Sequence, residues 1–446
     1  MNQREHLGSR LGFVLLSAGC AIGVGNVWKF PWMTGQNGGG GFVLIYIICI
    51  ILIGLPVMIM ELSLGRASQA SPVKMYQALE KPGQKWHIHG GFALAGNICL
   101  MAFYTTVAGW IVYYFYKFLV GQTAELTFVS TISDPGVNVG FLAIVVVLGF
   151  LVVSFNLQGG LERITKYMMV ALFVLMIVLA VYSCTLDGAA EGLKFYLLPD
   201  FSKITGSTVV AAMNQAFFSL SLGIGSMAIF GSYIGKDRSL MSESVNIVAL
   251  DTLVAIMAGL IIFPACTTYG VEVNSGPELL FTTMATVFNN MNGGRIWGTV
   301  FFLFMVFAAM STVFAVFENI LACVRELTGW SRRKGSVVCA IGIFLLGLTT
   351  ALGYNVWSGF VPFGEGTAWL DVWDLIVNFN LLPLGSVVYV LFCCTRYGWG
   401  WDNMVLEANT GKGLKVKNWM KPLFKYVIPV AVIFLYIYGM VTFNWK

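Results

Sequence analysis

Charged residues are scarce in this chain, at 11% of its 446 residues, while hydrophobic residues make up 58%. A soluble protein of this length could not bury so much apolar surface, and the mean hydropathy of +0.80 is typical of membrane proteins. Apolar runs of about 20 residues recur, each long enough to cross the hydrocarbon core as a helix. The sequence therefore predicts an all-α polytopic membrane protein and excludes a β-barrel, which would need short alternating strands.

Histidine is nearly absent, and its three copies, His6, His87 and His89, all fall in polar segments. We therefore expect neither a haem nor a histidine proton relay within the membrane. The nine cysteines lack the paired spacing of a zinc site and lie almost entirely in apolar runs, which predicts small core side chains. No nucleophile stands in a recognisable pattern with a base, so we do not expect an enzyme.

The apolar runs predict eleven membrane spans. Their bounds are about 11–36, 41–65, 90–118, 139–156, 162–184, 206–235, 241–267, 294–324, 335–353, 369–395 and 423–444. If the amino terminus is cytoplasmic, most of the 26 Lys and Arg residues fall on the cytoplasmic side, as the positive-inside rule requires. We therefore expect an extracytoplasmic carboxyl terminus, and the net charge of +5 needs no nucleic-acid partner to explain it.

Two of these spans contain sequences that disfavour a continuous helix. Residues 17–32 read SAGCAIGVGNVWKFPW, and residues 214–227 read NQAFFSLSLGIGSM. Glycine, serine and asparagine at the centre of a span favour a break, although Gly19 and Gly23 also have the spacing of small-residue helix packing. Breaks at corresponding places in two halves of a chain indicate an inverted-repeat transporter, whose unwound carbonyls and half-helix amino termini can bind cations and carboxylates at the midplane.

The segment RLGFVLLSAGCAIGVGNVWKFPW, followed by QNGGGGF, resembles the first-helix signature of the neurotransmitter:sodium symporter family. NQAFFSLSLGIG resembles the family's sixth helix, FAAMSTVFAV its eighth and FYTTVAGW its third. The resemblance implies a LeuT-like fold, a 5+5 inverted repeat with broken helices 1 and 6, in one transmembrane domain. It divides the chain 1–446 into a first repeat at 11–184, a second repeat at 206–395 and helix 11 at 423–444. Eleven helices match the bacterial amino acid branch, which lies in the inner (plasma) membrane.

Two sodium sites built from hard oxygen donors follow from the resemblance. The first would use the carbonyl of Ala21, the side chains of Asn26, Ser219 and Asp251, and the carboxylate of the substrate. The second would use the carbonyls of Gly19, Ile22 and Ala308 and the hydroxyls of Ser311 and Thr312. Without the family, these last two hydroxyls are more typical of side chains that bond back to their own helix.

By the same resemblance, the substrate carboxylate would meet amides near Gly25 and the hydroxyl of Tyr104, beneath an aromatic lid, Phe218. The predicted substrate-binding residues are Ala21, Val24, Gly25, Leu100, Tyr104, Phe218, Ser219, Ser221, Ile224, Thr312 and Val316. This set is mainly apolar and offers little to pair a charged side chain, which favours a neutral, hydrophobic or aromatic amino acid. Family members that carry monoamines place an aspartate at the position of Gly23, where glycine leaves room for a carboxylate.

Two gates are also implied. The external gate would pair Lys29 with Asp374, with Gln215 nearby, and the internal gate would use Arg4, Tyr233 and Glu326. Without the family, a surface ion pair is the alternative for each gate. The chain departs from the family pattern at Lys29, where arginine is usual, at Leu7, where a tryptophan latches the inner gate, and at Val170, where a helix 5 proline is common. The resemblance therefore does not imply how the inner site opens.

The sequence as a whole indicates a sodium-coupled secondary symporter that imports a small-molecule amino acid across the lipid bilayer by alternating access. The alternative is a sodium-binding channel or a transport-like sensor, which would keep the sites but lack alternating gates. We expect no chloride requirement, because Asp251 supplies a fixed negative charge where chloride-dependent relatives carry asparagine.

Overall fold

The computed structural model describes residues 6–273 and 278–442 and is almost entirely helical there. Within these ranges nine helices are long and apolar enough to cross a membrane: Gly40–Ser68, Ile88–Val120, Pro135–Ser154, Leu157–Cys184, Leu240–Tyr269, Gly294–Thr328, Arg332–Gly353, Trp369–Cys394 and Asn418–Thr442. A tenth candidate is a bent pair, Arg10–Ala21 and Gly25–Gln36, whose axes meet at 56°.

The sixth predicted span is divided as well, into Gly206–Ser219 and Ser226–Gly231, and neither half is long enough to cross a membrane alone. With these two broken helices, the order along the chain follows the predicted one, and the spans are numbered 1 to 11 accordingly. Helix length and composition by themselves support nine or ten of them. The end of span 11, predicted at 444, lies beyond the described residues, which stop at Thr442.

Capping serines and glycines explain where several spans begin and end. Ser9 starts span 1, and its hydroxyl accepts the Gly12 N–H at 3.0 Å. Ser239 caps span 7 in the same way. Spans 3 and 7 end at Gly121 and Gly270, whose φ angles of 78° and 62° are left-handed and therefore favour glycine.

The spans differ in how much of their surface the protein covers. Among the candidate spans of the described residues, span 8 has the largest share of buried residues. In spans 4, 5, 9 and 11 most residues are not buried inside the protein. The outward faces carry large apolar side chains such as Val147, Val174, Ile341 and Val430. Because exposed apolar surface on this scale is costly in water, these faces are suited to lipid. The bundle thus places spans 1, 6 and 8 where a ligand would be shielded from the bilayer.

His89 corrects one expectation from the sequence. It does not lie in a polar loop but is the second residue of span 3. Its ring packs edge-on against Tyr76 and Tyr389, with centroid distances of 5.4 Å and 5.6 Å. Sequence hydropathy missed this position because the span begins two residues earlier than its apolar run, and the ring is covered by residues distant in sequence.

Spans 2 and 6 approach each other through glycines. A Cβ on Gly65 would overlap the carbonyl oxygen of Ala228, and a Cβ on Gly231 would overlap the carbonyl oxygen of Leu62. The second half of span 6 therefore rests directly on the backbone of span 2, and the short helix Ser226–Gly231 keeps its place through this contact.

This crossing predicts that Gly65→Ala lowers stability, by about 1–3 kcal/mol, because the added methyl group must displace the backbone of span 6. Gly342→Ala is the matched control: it lies within span 9, and a Cβ there meets nothing within 4 Å. We expect it to be neutral or to stabilise by about 0.5–1 kcal/mol. Thermal unfolding in detergent measures both variants, and equal melting temperatures would contradict the crossing.

Candidate functional site

Span 1 is interrupted beside a glycine and an asparagine. Its first half ends at Ala21, and a π-helical segment, Gly25–Lys29, opens its second half. Within the break, the Gly23 N–H donates to the side-chain oxygen of Asn26 at 3.3 Å. The predicted break in helix 1 is confirmed, and its asparagine pairs a backbone amide that the helix leaves free.

The break in span 6 is held by a carboxylate from span 2. The chain turns through left-handed conformations at Ser221, Gly223 and Gly225, with φ angles of 50°, 105° and 75°. The fully buried carboxylate of Glu61 accepts the Gly223 N–H at 2.5 Å and the Met227 N–H at 3.1 Å. Because unpaired amides are costly in apolar surroundings, Glu61 stabilises the broken form of the helix.

Two buried asparagines donate hydrogen bonds to backbone carbonyls at the break in span 6. Asn97 of span 3 donates to the Ile224 carbonyl at 2.7 Å, and Asn319 of span 8 donates to the Gly225 carbonyl at 3.4 Å. Neither asparagine was predicted. An amide side chain in an apolar span was the available signal, but the sequence does not say which backbone it will meet.

Three side chains predicted for the first sodium site meet at one buried point. The Asn26 amide nitrogen lies 2.8 Å from Asp251 Oδ1, and the Ser219 hydroxyl donates to Asp251 Oδ2 at 2.6 Å. Tyr46 of span 2, which was not predicted, donates to the Ser219 hydroxyl oxygen at 3.1 Å. Among the described residues the contacts of Asp251 are with neutral groups, so its charge is left for a cation to balance.

The five groups predicted for the second sodium site also converge. Thr312 Oγ1 lies 3.1 Å from the Ile22 carbonyl oxygen and 3.3 Å from that of Gly19. Ser311 Oγ lies 2.9 Å from the Ala308 carbonyl oxygen and 3.5 Å from that of Ile22. The hydroxyls therefore bond to their own helix and also reach span 1. Five neutral oxygens at one point are a donor set that suits a small hard cation.

Span 5 covers this second cluster. Thr165 and Met169 lie against Gly19, where their Cγ2 and Sδ atoms would stand 3.5 Å and 3.2 Å from an added Cβ. The span begins as a π-helical segment, Leu157–Glu162, and continues as an unbroken α-helix through Val170. Valine keeps its N–H in the helix where proline would not, so in this conformation span 5 passes the cluster as a continuous helix.

A small cavity of about 40 Å³ touches both oxygen clusters. Its lining residues are Ala21, Gly23, Val24, Gly25, Leu100, Phe103, Tyr104, Phe218, Ser219, Ser221, Ile224, Thr312, Asn378 and Leu382. Every residue predicted to bind substrate is in this set except Val316, which is fully buried in the core. The lining includes no charged side chain, and Gly23, Phe103, Asn378 and Leu382 are additions to the prediction.

Glycines 23 and 25 allow side chains to approach the backbone of span 1 at this cavity. A Cβ on Gly23 would lie 2.7 Å from the Tyr104 hydroxyl and 2.8 Å from Thr312 Oγ1, and a Cβ on Gly25 would lie 2.6 Å from the ring of Phe218. The Val24 N–H donates to the Tyr104 hydroxyl at 3.2 Å. Backbone amides and a hydroxyl therefore lie together where the substrate carboxylate was predicted, and in this conformation they bond to groups of the protein itself.

A larger cavity of about 500 Å³ adjoins the small one, and Phe218 belongs to the walls of both. Lys29 and Asp374, predicted to form the external gate, both line it but make no ion pair with each other in the described structure. The Lys29 ammonium instead lies 3.8 Å from the ring centroid of Phe218, and Asp374 accepts a hydrogen bond from Asn378. Gln215 donates to the Gly25 carbonyl at 3.3 Å.

Asp374 stands at the start of an irregular part of span 10. The residues that follow it, Leu375–Leu381, are π-helical, and Leu382–Cys394 resumes as an α-helix. Asn378 lies within the π-helical segment and contributes to both cavities. Irregular helices of this kind recur at functional sites, because the wider turn changes the direction of the side chains around it.

The predicted internal gate is described only in part, since Arg4 lies outside the described residues. Tyr233 donates from its hydroxyl to Glu318 at 2.8 Å, and Arg332 forms an ion pair with the same carboxylate. Glu326 accepts the N–H and the hydroxyl of Ser71 at 3.0 Å and 2.7 Å. The buried Glu318 therefore has a cationic partner, which its position within span 8 did not reveal.

The segment before span 1 is fastened to span 5. Glu162 accepts the Gly8 N–H at 2.7 Å and the Ser9 hydroxyl at 2.8 Å. Leu7, which stands where a tryptophan was expected, donates its N–H to the Tyr233 carbonyl at 3.3 Å. Backbone contacts thus hold this segment, and Glu162 is a residue that sequence reasoning missed, although a carboxylate after two glycines in an apolar span was a usable signal.

Two broken helices that meet at buried oxygen clusters, beside a cavity that both of them line, define a membrane transporter of the LeuT-like fold class. The chain matches the family model described as the sodium:neurotransmitter symporter family over residues 4–128 and 117–446, and it belongs to that family.

Relatives and a solved structure agree with this membership. The chain is 34% identical over 448 residues to YhdH, an uncharacterized sodium-dependent transporter of Bacillus subtilis, and the match covers 98% of each chain. An uncharacterized sodium-dependent transporter of Haemophilus influenzae is 31% identical over 456 residues, with 98% of each chain covered. The crystal structure of MhsT in complex with L-phenylalanine matches with a TM-score of 0.87 and 34% identity, covering 97% of this chain and 99% of that one. The protein is therefore a sodium-dependent membrane transporter for a small molecule.

Proposed function

We propose that this protein is a symporter that uses two sodium ions to import a neutral, hydrophobic or aromatic L-amino acid by alternating access. The observation that carries the proposal is the buried cluster of Asn26, Ser219 and Asp251 next to a small apolar cavity at the break of span 1. The phenylalanine bound to MhsT supports the substrate class.

Substrate and the first sodium ion complete each other's binding site. The amino acid carboxylate binds the Tyr104 hydroxyl and backbone amides at the break of span 1, and its second oxygen faces the sodium ion held by Asn26, Ser219 and Asp251. Because a desolvated cation needs several oxygens at once, substrate and sodium each raise the affinity of the other, which couples their movement. The apolar side chain then fills the part of the cavity lined by Leu100 and Ile224.

The second sodium ion ties span 1 to span 8. The carbonyls of Gly19 and Ile22 and the hydroxyls of Ser311 and Thr312 hold it, and its presence favours the conformation in which the two spans are close. Each sodium ion that crosses a potential of 100 mV contributes about 2.3 kcal/mol. With 1.4 kcal/mol for each tenfold, one tightly coupled ion supports about fiftyfold accumulation of substrate.

In alternating access, the larger cavity admits the substrate and the small cavity then holds it. Substrate enters through the larger cavity, Phe218 covers it, and Lys29 leaves the Phe218 ring to pair with Asp374. Release follows when the contacts of Glu162 with Gly8 and Ser9 open on the other side. We further propose two inverted repeats, 11–184 and 206–395, and an inner-membrane location with a cytoplasmic amino terminus.

A substrate panel tests the proposed function. Purified protein in liposomes with an inward sodium gradient is expected to accumulate leucine, tryptophan or tyrosine against its gradient, and glycine, glutamate and lysine should compete at least about tenfold less well, because the cavity offers them neither contact nor a charge partner. Dissipating the sodium gradient with an ionophore is the control. Sodium-dependent binding without accumulation would instead indicate a sensor or a channel.

The ion sites predict that Asn26→Ala and Thr312→Ala each weaken sodium-dependent binding by tenfold or more, about 1.4 kcal/mol, since water cannot easily replace an oxygen ligand in a closed site. Thr299→Ala is the matched control, because the Thr299 hydroxyl bonds to the Arg295 carbonyl near the start of span 8, away from both clusters. Binding of radiolabelled substrate is measured over a range of sodium concentrations at constant ionic strength. Unchanged sodium dependence in both site variants would exclude the assignment.

Asp251 predicts how transport responds to chloride. Its buried carboxylate balances the charge of the first sodium ion, so wild-type uptake should be equal in chloride and in gluconate at constant sodium. In Asp251→Asn or Asp251→Ser the fixed charge is gone, and a mobile anion can replace it, so we expect several-fold higher uptake in chloride than in gluconate. Folded variants with equal uptake in both salts, or a wild type that requires chloride, would refute this role.

A further inference from the structure

The chain between spans 10 and 11 is folded back onto the protein. It contains a short helix, Trp401–Ala408, whose Glu407 forms an ion pair with the fully buried Arg66 at 2.5 Å. Arg66 lies at the end of span 2 and also donates to the Arg238 carbonyl at 2.8 Å. One guanidinium therefore joins this segment to span 2 and to the loop before span 7.

The residues after this helix are held by their backbone as well. The Lys412 N–H donates to the Asp237 carbonyl at 2.8 Å, and its carbonyl accepts the Ser239 N–H at 3.0 Å. The Leu414 N–H donates to the Ser242 hydroxyl at 2.7 Å. A solvated linker would lack such long-range bonds, so the side chains of this segment project from a fixed backbone.

The part of this segment that follows the helix Trp401–Ala408 carries charge of one sign. From residue 408 to residue 446 the sequence contains no Asp or Glu. Lys412, Lys417 and Lys421 are exposed, and none of the three forms an ion pair with a described carboxylate. Lys415 differs, because its ammonium bonds to backbone carbonyls of its own loop. The Lys421 ammonium lies 5.9 Å from the ring centroid of Trp401, so the described carboxylates leave all three ammonium groups without an ion-pair partner.

Exposed aromatic and apolar side chains place this segment at the surface of the bilayer. Trp419 is 72% exposed, Tyr426 60% and Leu414 56%. Trp419 and Tyr426 lie in the first turns of span 11, where the apolar helix begins. Tryptophan and tyrosine favour the depth of the lipid headgroups, so the neighbouring lysines lie at the level of the phosphates.

We propose that Lys412, Lys417, Lys421 and Trp419 form a docking surface for the headgroups of anionic phospholipids. The cationic groups complement the phosphates, and the indole and Leu414 enter the edge of the hydrocarbon. The positive-inside rule accounts for lysines on one side of a membrane. It does not account for a lysine-rich segment whose backbone and Glu407 are bonded to spans 2 and 7. An anionic lipid bound to this surface stabilises the loop that follows the second half of span 6, because the Lys412 backbone is hydrogen-bonded to that loop.

The test compares full-length wild type with the triple variant Lys412→Gln, Lys417→Gln, Lys421→Gln in mixed micelles of phosphatidylglycerol and phosphatidylcholine, counting retained lipids by native mass spectrometry. The control variant Lys74→Gln, Lys85→Gln, Arg333→Gln removes the same charge from exposed positions elsewhere. Because each lysine contributes to the attraction for anionic headgroups, the triple variant should lose at least about tenfold of the preference for phosphatidylglycerol, and the control should keep it.

Two further measurements on the wild type keep the proposal testable if the triple variant does not fold. Raising choline chloride at constant sodium should weaken retention of phosphatidylglycerol, because screening acts on exposed charges. Inorganic phosphate should neither displace the lipid nor raise the melting temperature. An equal loss in the control variant, no preference in the wild type, retention that is insensitive to salt, or stabilisation by phosphate alone would each overturn the proposal.

Discussion

A helix that is interrupted inside a membrane leaves backbone amides and carbonyls that hydrocarbon cannot hydrate, and in this protein other spans supply the missing partners. Glu61 binds the amides of the break in span 6, and the hydroxyls of Ser311 and Thr312 reach the carbonyls of the break in span 1. Because these partners come from spans 2 and 8, each break fixes the position of a neighbouring helix. The arrangement of the bundle around its centre follows from this requirement.

The same requirement explains why the two oxygen clusters contain so little charge. Carbonyls and hydroxyls that satisfy a broken helix are also ligands for a small hard cation, so one set of atoms can serve folding and binding in turn. Asp251 is the exception, since its neutral partners leave a net negative charge at the first cluster. A carboxylate in this setting favours a nearby cation strongly, and this preference distinguishes the two clusters chemically.

The breaks could be predicted from the sequence because they depend on local composition, in which glycine, serine and asparagine weaken a helix where they occur. The ion ligands were expected only from the resemblance to the family, since composition does not distinguish them from hydroxyls bonded to their own helix. The contact of Glu61 with Gly223 could not be predicted, because it joins residues from different halves of the chain and only the packing of spans 2 and 6 brings them together. His89 and Arg332 were missed for a similar reason, since hydropathy assigns a depth but no neighbour. The predicted pairing of Lys29 with Asp374 is not formed in this conformation, in which each residue has another partner.

The π-helical segment of span 10 affects the direction in which Asp374 points. A π turn holds about one residue more than an α turn, so Leu375–Leu381 offsets the helix before it from the helix after it by about one residue, or roughly 100° of rotation. Asp374 faces the larger cavity because of this offset. The orientation of the Asp374 carboxylate is therefore set by the number of residues in the segment, and the loss of one residue there would turn the carboxylate away from the larger cavity without changing the side chain itself.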